Sequence, residues 1–137
     1  MKIKMKKIFI GQAVTGQDMK VLDSEMEKIY DVLSQKGLKP YSTLEEEGKN
    51  KFKKAGDWVR FSFKIIDESD ICLTLIRNEH HSEGLLMEIG YILSKKKRFI
   101  LAIKDDVKKS YLRDMTDEII EWKNFEDLLI KLRGLKI

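Results

Sequence analysis

Glu88 is the residue whose surroundings most invite chemistry. It lies in the stretch SEGLLMEIGYILSKKK, residues 82 to 97. There Leu85, Leu86, Ile89, Ile92 and Leu93 recur at helical spacing and form one apolar face. At about 100° per residue, Glu88 falls on the border of that face rather than opposite it. A carboxylate at the rim of a core-facing stripe, just behind a loop, can serve as a nucleophile. The same carboxylate also reads as a solvated surface charge in a first helical turn, where the helix dipole favours it. Ser82 stands where an N-cap belongs, and backbone N–H groups at that end of a helix attract anions. Gly11 and Gly16 bracket the loop GQAVTG; they suit turn geometry and also allow a phosphate to approach the backbone.

Other sets of reactive residues fall short. GQAVTG lacks the third glycine and the later acid of a dinucleotide fingerprint, and no Lys-Ser/Thr follows it as in a Walker loop. No paired acids follow the first strand, as a phospho-accepting receiver domain requires. His80 and His81 are adjacent, so they point in different directions, and no second metal-binding group accompanies them. They read as loop residues, with one imidazole reaching a pocket as the alternative. No Ser/His/Asp set has a recognisable elbow. Cys72, the single cysteine, sits in DICLTLI and reads as a small buried strand residue.

The elements that must position these groups alternate. KIFI is a short apolar strand, and a helix from about Asp18 to Lys36 carries Leu22, Met26, Ile29 and Leu33 on one face and stops at Gly37. LKPYST is a weak strand whose proline suits an edge. LEEEGKNKFKKAG is a charged, glycine-punctuated loop. DWVRFSFKIIDES reads as a helix capped by Asp57 and apolar on more than one side. Trp58 and Phe61 are expected to pack in the core or at a subunit interface, with stacking on a base as the alternative. DICLTLI is a continuous apolar run, as in a central parallel strand. The helix from Ser82, the strand RFILAI, a loop with Ser110, the strand EIIEW and a helix capped by Asn124 complete the chain. Strands alternating with helices predict an α/β fold: a doubly wound five-stranded parallel sheet with helices on both faces, flavodoxin/Rossmann-like. Ligands bind beyond the carboxyl ends of such strands, which brings the Gly11 to Asp18 loop, the RNEHHSEG loop and the loop after Ile103 to one rim.

The 137 residues suit one domain over positions 1–137. No apolar run is long enough to span a bilayer, and MKIKMKKIFI reads as a lysine-flanked strand rather than a signal peptide. A lone cysteine fits a reducing cytoplasm. The net charge of +4 comes from lysines mixed with acids along the chain, unlike the concentrated basic elements of a nucleic-acid binder. Neither a nucleic-acid polymer nor a membrane is expected as partner.

SEGLLMEIGYILSKKKRFILAI resembles the signature of the nucleoside 2-deoxyribosyltransferase superfamily. In that signature a loop with Asp or Ser and a glycine leads into a helix reading G-M-E-[LI]-G-Y-A. The family's nucleophile is its glutamate, which corresponds to Glu88 here, followed by Ile89, Gly90 and Tyr91. IFIG with its small-residue loop, and IIDESDICLTLI, are similar to the family's first strand and its third. The similarity runs from about Lys7 to about Leu132. Family members that act on free nucleosides carry Asp six residues before the nucleophile. Those that act on nucleoside 5'-monophosphates carry Ser, and this chain has Ser82 with Gly84. The pattern is most similar to the 2'-deoxynucleoside 5'-phosphate N-hydrolase branch. The resemblance implies a substrate site made of Gly11, Val14, Thr15, Gly16, Ser82, Gly84 and Ser110, the last reaching a neighbouring subunit's phosphate. It implies a homodimer or higher homo-oligomer, a nucleoside 5'-monophosphate substrate, and neither cofactor nor metal.

The implied chemistry is attack of Glu88 on C1' of the sugar, release of the base and resolution by water. Two family positions differ. The tyrosine near the end of the first strand corresponds to Ile8, or to Phe9 with a one-residue shift. The catalytic aspartate of the next helix corresponds to Ser62. Asp57, Asp67 or a histidine of the 80–81 pair would then handle the leaving base's proton. The alternatives are deoxyribosyl transfer between free bases and nucleotide binding with little catalysis.

Overall fold

The computed structural model describes residues 4–14, 16–80 and 82–137. Its five parallel strands are β1 (Lys6–Gln12), β2 (Leu38–Ser42), β3 (Ile71–Ile76), β4 (Arg98–Lys104) and β5 (Glu118–Trp122), in the spatial order β2-β1-β3-β4-β5. Four helices connect or follow them: α1 (Met19–Gln35), α2 (Ala55–Glu68), α3 (Glu83–Ser94) and α4 (Phe125–Arg133). The doubly wound parallel sheet expected from the alternation is the fold observed. Pro40 lies in β2, at the sheet edge, where a missing N–H costs least.

Alternation along the strands divides the core in two. Ile8, Ile10, Ile71, Leu73, Leu75, Ile100 and Ala102 face α1 and α4. Phe9, Cys72, Ile76, Phe99, Leu101 and Ile103 face α2 and α3. The three central strands are buried along nearly their whole length, which explains their continuous apolar runs.

Helix ends follow local chemistry. The Asp18 carboxylate accepts the N–H groups of Lys20 and Val21, and Gly37, at φ 81°, follows the end of α1. Asn124 caps α4 by accepting from Asp127 N–H at 2.9 Å. Asp57 is not the N-cap residue of α2 but its third helical residue. The helix begins two residues earlier, at Ala55, and Asp57 reaches back to accept the N–H groups of Lys53 and Lys54 at 3.2 and 3.1 Å. The several apolar sides of α2 are covered by neighbours other than the sheet. Phe63 stacks on Tyr91 of α3 with centroids 4.1 Å apart, while Trp58 and Phe61 pack on Phe52 of the preceding loop.

The strand order reverses direction between β1 and β3, so β1 is followed by β2 on one side and pairs with β3 on the other. A crevice opens beyond the strand ends at such a switch point. Among the described residues, no helix is long and apolar enough to cross a membrane.

Candidate active site

α3 carries the central group. Ser82 precedes the helix with extended backbone, and its hydroxyl accepts the Leu85 N–H at 3.1 Å. The N–H groups of Glu83 and Gly84, at the first helical positions, have no acceptor within the helix. One turn further, at spacings of three and four from Leu85 and Gly84, Glu88 turns to the same side. It is buried, at 9% exposure, whereas Leu86 of the expected apolar face is 44% exposed. The helix is therefore rotated about its axis from the orientation that periodicity suggests: Leu85, Ile89 and Ile92 face the sheet with Glu88, and Leu86 faces outward.

Room for the carboxylate comes from β1. A Cβ built on Gly11 would stand 3.6 Å from Glu88 Oε2, 3.6 Å from Leu85 Cδ1 and 3.4 Å from Phe9 Cε2. Of the two residues matched to the family's tyrosine, Phe9 shares the Glu88 side of the sheet and Ile8 faces the other side. Burial pushes the Glu88 carboxyl up to about 7, and the Ser62 hydroxyl, acting as a hydrogen-bond donor to it, opposes that rise.

Glu88 and Ser62 line a cavity of about 260 Å³. Gln12 and Val14 border it at the end of β1, Ser82, Gly84 and Leu85 at the start of α3, and Trp58 and Val59 one turn before Ser62 on α2. The segment after β2 closes the remaining wall with Thr43, Leu44 and Glu47. Gln12 is held from behind: its Oε1 accepts from Arg77 Nη1 at 2.6 Å, and Arg77 also bonds Glu25 at 3.2 Å.

The cavity thus brings together Glu88, Ser62, Val14, Ser82 and Gly84, with Gly11 against the Glu88 side chain. Gly16, at φ 79°, turns the loop after β1. Thr15 and His81 lie outside the described residues. Ser110 does not line the cavity; its hydroxyl accepts the Leu112 N–H at 3.3 Å at the start of a 3-10 turn. The candidate proton donors are placed elsewhere. Asp57 is tied to Arg60 at 2.7 Å, which together with backbone N–H groups holds its carboxyl low. Asp67 accepts from Tyr91, and His80 borders a separate small depression beside Arg77. Two of the further lining residues carry groups that could meet a ligand. Trp58 lines the cavity, which agrees with the alternative of stacking rather than with core packing, and Glu47 lines it from the charged, glycine-punctuated loop, where the sequence singles out no residue. Among the described residues, no group of three or more potential metal ligands gathers.

No family model and no curated protein matches the sequence. Solved structures share the fold. A CMP N-glycosidase from Clostridium botulinum superposes with a TM-score of 0.71 at 18% identity, covering 95% of this chain and 100% of that one. A conserved protein from Enterococcus faecalis V583 gives 0.67 at 15% identity over 96% and 99%. A 2-deoxyribosyltransferase from Bacillus psychrosaccharolyticus gives 0.61 at 18% identity over 96% and 93%.

Proposed function

We propose that this chain is an N-glycosidase that cleaves nucleoside 5'-monophosphates to free base and sugar 5-phosphate, with Glu88 as nucleophile. The observation that carries this reading is a single buried carboxylate at the inner wall of a cavity whose rim is a helix N-terminus. The N–H groups of Glu83 and Gly84, with the Ser82 hydroxyl, suit a phosphate, and the Glu83 side chain is exposed to solvent. Nearby, Glu88 suits the electron-poor C1' that develops as the glycosidic bond breaks. Similarity of fold to a CMP N-glycosidase and to 2-deoxyribosyltransferases supports the same class of reaction.

In this mechanism an ionised Glu88 oxygen bonds to C1' while the C1'–N bond breaks, and its electron pair leaves with the base, which takes up a proton. Water then attacks C1' of the glycosyl ester, gives its hydrogens to the departing sugar product and to solvent, and returns Glu88 as a carboxylate. Ser62 stabilises the ionised form of Glu88 through its hydroxyl.

The test is chromatographic detection of free base from ribo- and deoxyribonucleoside 5'-monophosphates, beside the matching free nucleosides, with the native chain and with Glu88→Ala. Release that needs both the phosphate and Glu88 is expected. Release from free nucleosides in the presence of a second base would establish transfer instead. A second reading, nucleotide binding with little catalysis, draws on the serine at position 62, which leaves α2 without a carboxyl beside Glu88. It predicts saturable nucleotide binding and no base release.

A further inference from the structure

The run Glu45-Glu46-Glu47 sends its three side chains to three different places. Glu45 accepts a hydrogen bond from the Tyr30 hydroxyl. Glu46 is buried and pairs with Lys49 at 3.3 Å and Lys51 at 3.2 Å. Glu47 ends the 3-10 turn, with its N–H bonded to Leu44 O, and its side chain lines the cavity. Lys49 and Lys51, the two lysines nearest to it in sequence, are engaged by Glu46. Among the described residues the Glu47 carboxylate has no hydrogen-bond or ion-pair partner, and it is the one carboxylate of the cavity besides Glu88.

The cavity is also lined by Trp58, which is fixed in an edge-on packing against Phe52 with ring centroids 4.6 Å apart. An aromatic side chain and an unpaired carboxylate lining one cavity have the two properties of a base-reading site: a surface for stacking and a polar group that discriminates.

We propose that Glu47 reads the base and selects guanine. The inference rests on the reading of the cavity as a nucleoside 5'-monophosphate site. A carboxylate only accepts hydrogen bonds, and its two oxygens accept best from two donors side by side. Guanine offers that pair on its Watson–Crick edge, N1–H and the 2-amino group. Hypoxanthine keeps N1–H and lacks the amino group. Adenine and cytosine set a ring-nitrogen acceptor beside their amino group, and uracil flanks its N–H with two carbonyl oxygens that a carboxylate repels. A site built to bond a polar group strongly rejects the analogue that lacks it.

The experiment is calorimetric titration of GMP, IMP, AMP, CMP and UMP, and of their deoxy forms, into the Glu88→Gln chain, which removes turnover. The same series is run on the chain that also carries Glu47→Gln. Glu47 is exposed, so the substitution leaves the fold in place, which the thermal midpoint checks. Guanine nucleotide is expected to bind at least about tenfold tighter than the hypoxanthine analogue, as losing a hydrogen bond to a charged group requires. Glu47→Gln should erase that difference and favour adenine and cytosine nucleotides, because an amide presents one acceptor and one donor. Equal affinity for GMP and IMP, or a preference that survives Glu47→Gln, overturns the assignment while leaving an N-glycosidase in place. A guanine preference without base release by the native chain removes the hydrolase reading and keeps the role of Glu47. Absence of binding by every nucleotide overturns both.

Discussion

The Glu88 carboxylate lies over Gly11, so close that a β-carbon there would stand 3.6 Å from Oε2. The acid is buried because β1 has no side chain at that point, and the cavity wall is thinned where Glu88 must reach in. A first β-carbon at position 11 meets ordinary to tight contacts, and anything beyond it must displace Glu88, Leu85 or Phe9. Gly11→Val should therefore cost about 1–3 kcal/mol of stability through overpacking. It should also lower base release by roughly a hundredfold, the scale set by an ångström of misplacement. Gly11→Ala should retain most of the stability. Denaturant unfolding and turnover, measured on both variants, separate the two effects.

Burial of Glu88 has a sign that stability measurements read directly. Its carboxyl titrates at about 7 in the folded chain and near the ordinary 4.5 when unfolded. Between these values the folded state holds the extra proton, so stability is lost as pH rises through that window. The full difference is on the order of 3 kcal/mol. Glu88→Gln, which cannot ionise, should unfold at a higher temperature than the native chain at pH 8 and at nearly the same temperature at pH 4. A variant less stable than the native chain at pH 8 would contradict this account.

The same titration bears on the proposed activity. In the proposed mechanism only the ionised acid attacks, so kcat/KM should rise with pH along a limb centred near 7. Ser62→Ala removes the hydroxyl that favours the ionised form, and the limb should move to higher pH with activity lost mainly below it. A uniform loss at all pH values would assign Ser62 to packing alone.

In the proposed reading, Ser82 sets the preference for phosphate. Aspartate at this position would place a carboxylate among the N–H groups offered to the substrate, and two like charges about 5 Å apart repel by about 3 kcal/mol at a surface-like dielectric. Ser82→Asp should weaken nucleoside monophosphate binding at least about tenfold and leave free nucleosides nearly unaffected. Aspartate also caps helices, so α3 should keep its stability, which circular dichroism can confirm.

Alternating strands and helices announced the sheet because parallel strands buried on both faces leave unbroken apolar runs, as in DICLTLI and RFILAI. The common place of Ser82, Gly84 and Glu88 at one cavity was legible as well, since they fall within about two turns at the start of one helix. What escaped was set by contacts distant in sequence. Leu86 and Glu88 both border the apolar stripe of α3, and periodicity alone favours the leucine as the buried one. Gly11 decides for Glu88 by vacating space on another element. Trp58 reads as an aromatic of the core or of a subunit interface, but it stands four residues before Ser62, on the face of α2 that lines the cavity. Asp57 reads as a cap because capping by an acid at the third helical position looks the same in sequence. Glu47 carries no signal, since three identical neighbours differ only in where the turn points them.

That last feature has an evolutionary side. A homopolymer of three glutamates has no internal landmarks, so removing any one of them yields the same shortened string. In the folded chain the shortened string must still choose among a tyrosine, two lysines and an open cleft. With Glu47 reading the base as proposed, loss of one glutamate would change what the cleft recognises while altering the composition by one residue, and an alignment would place the gap arbitrarily within the tract.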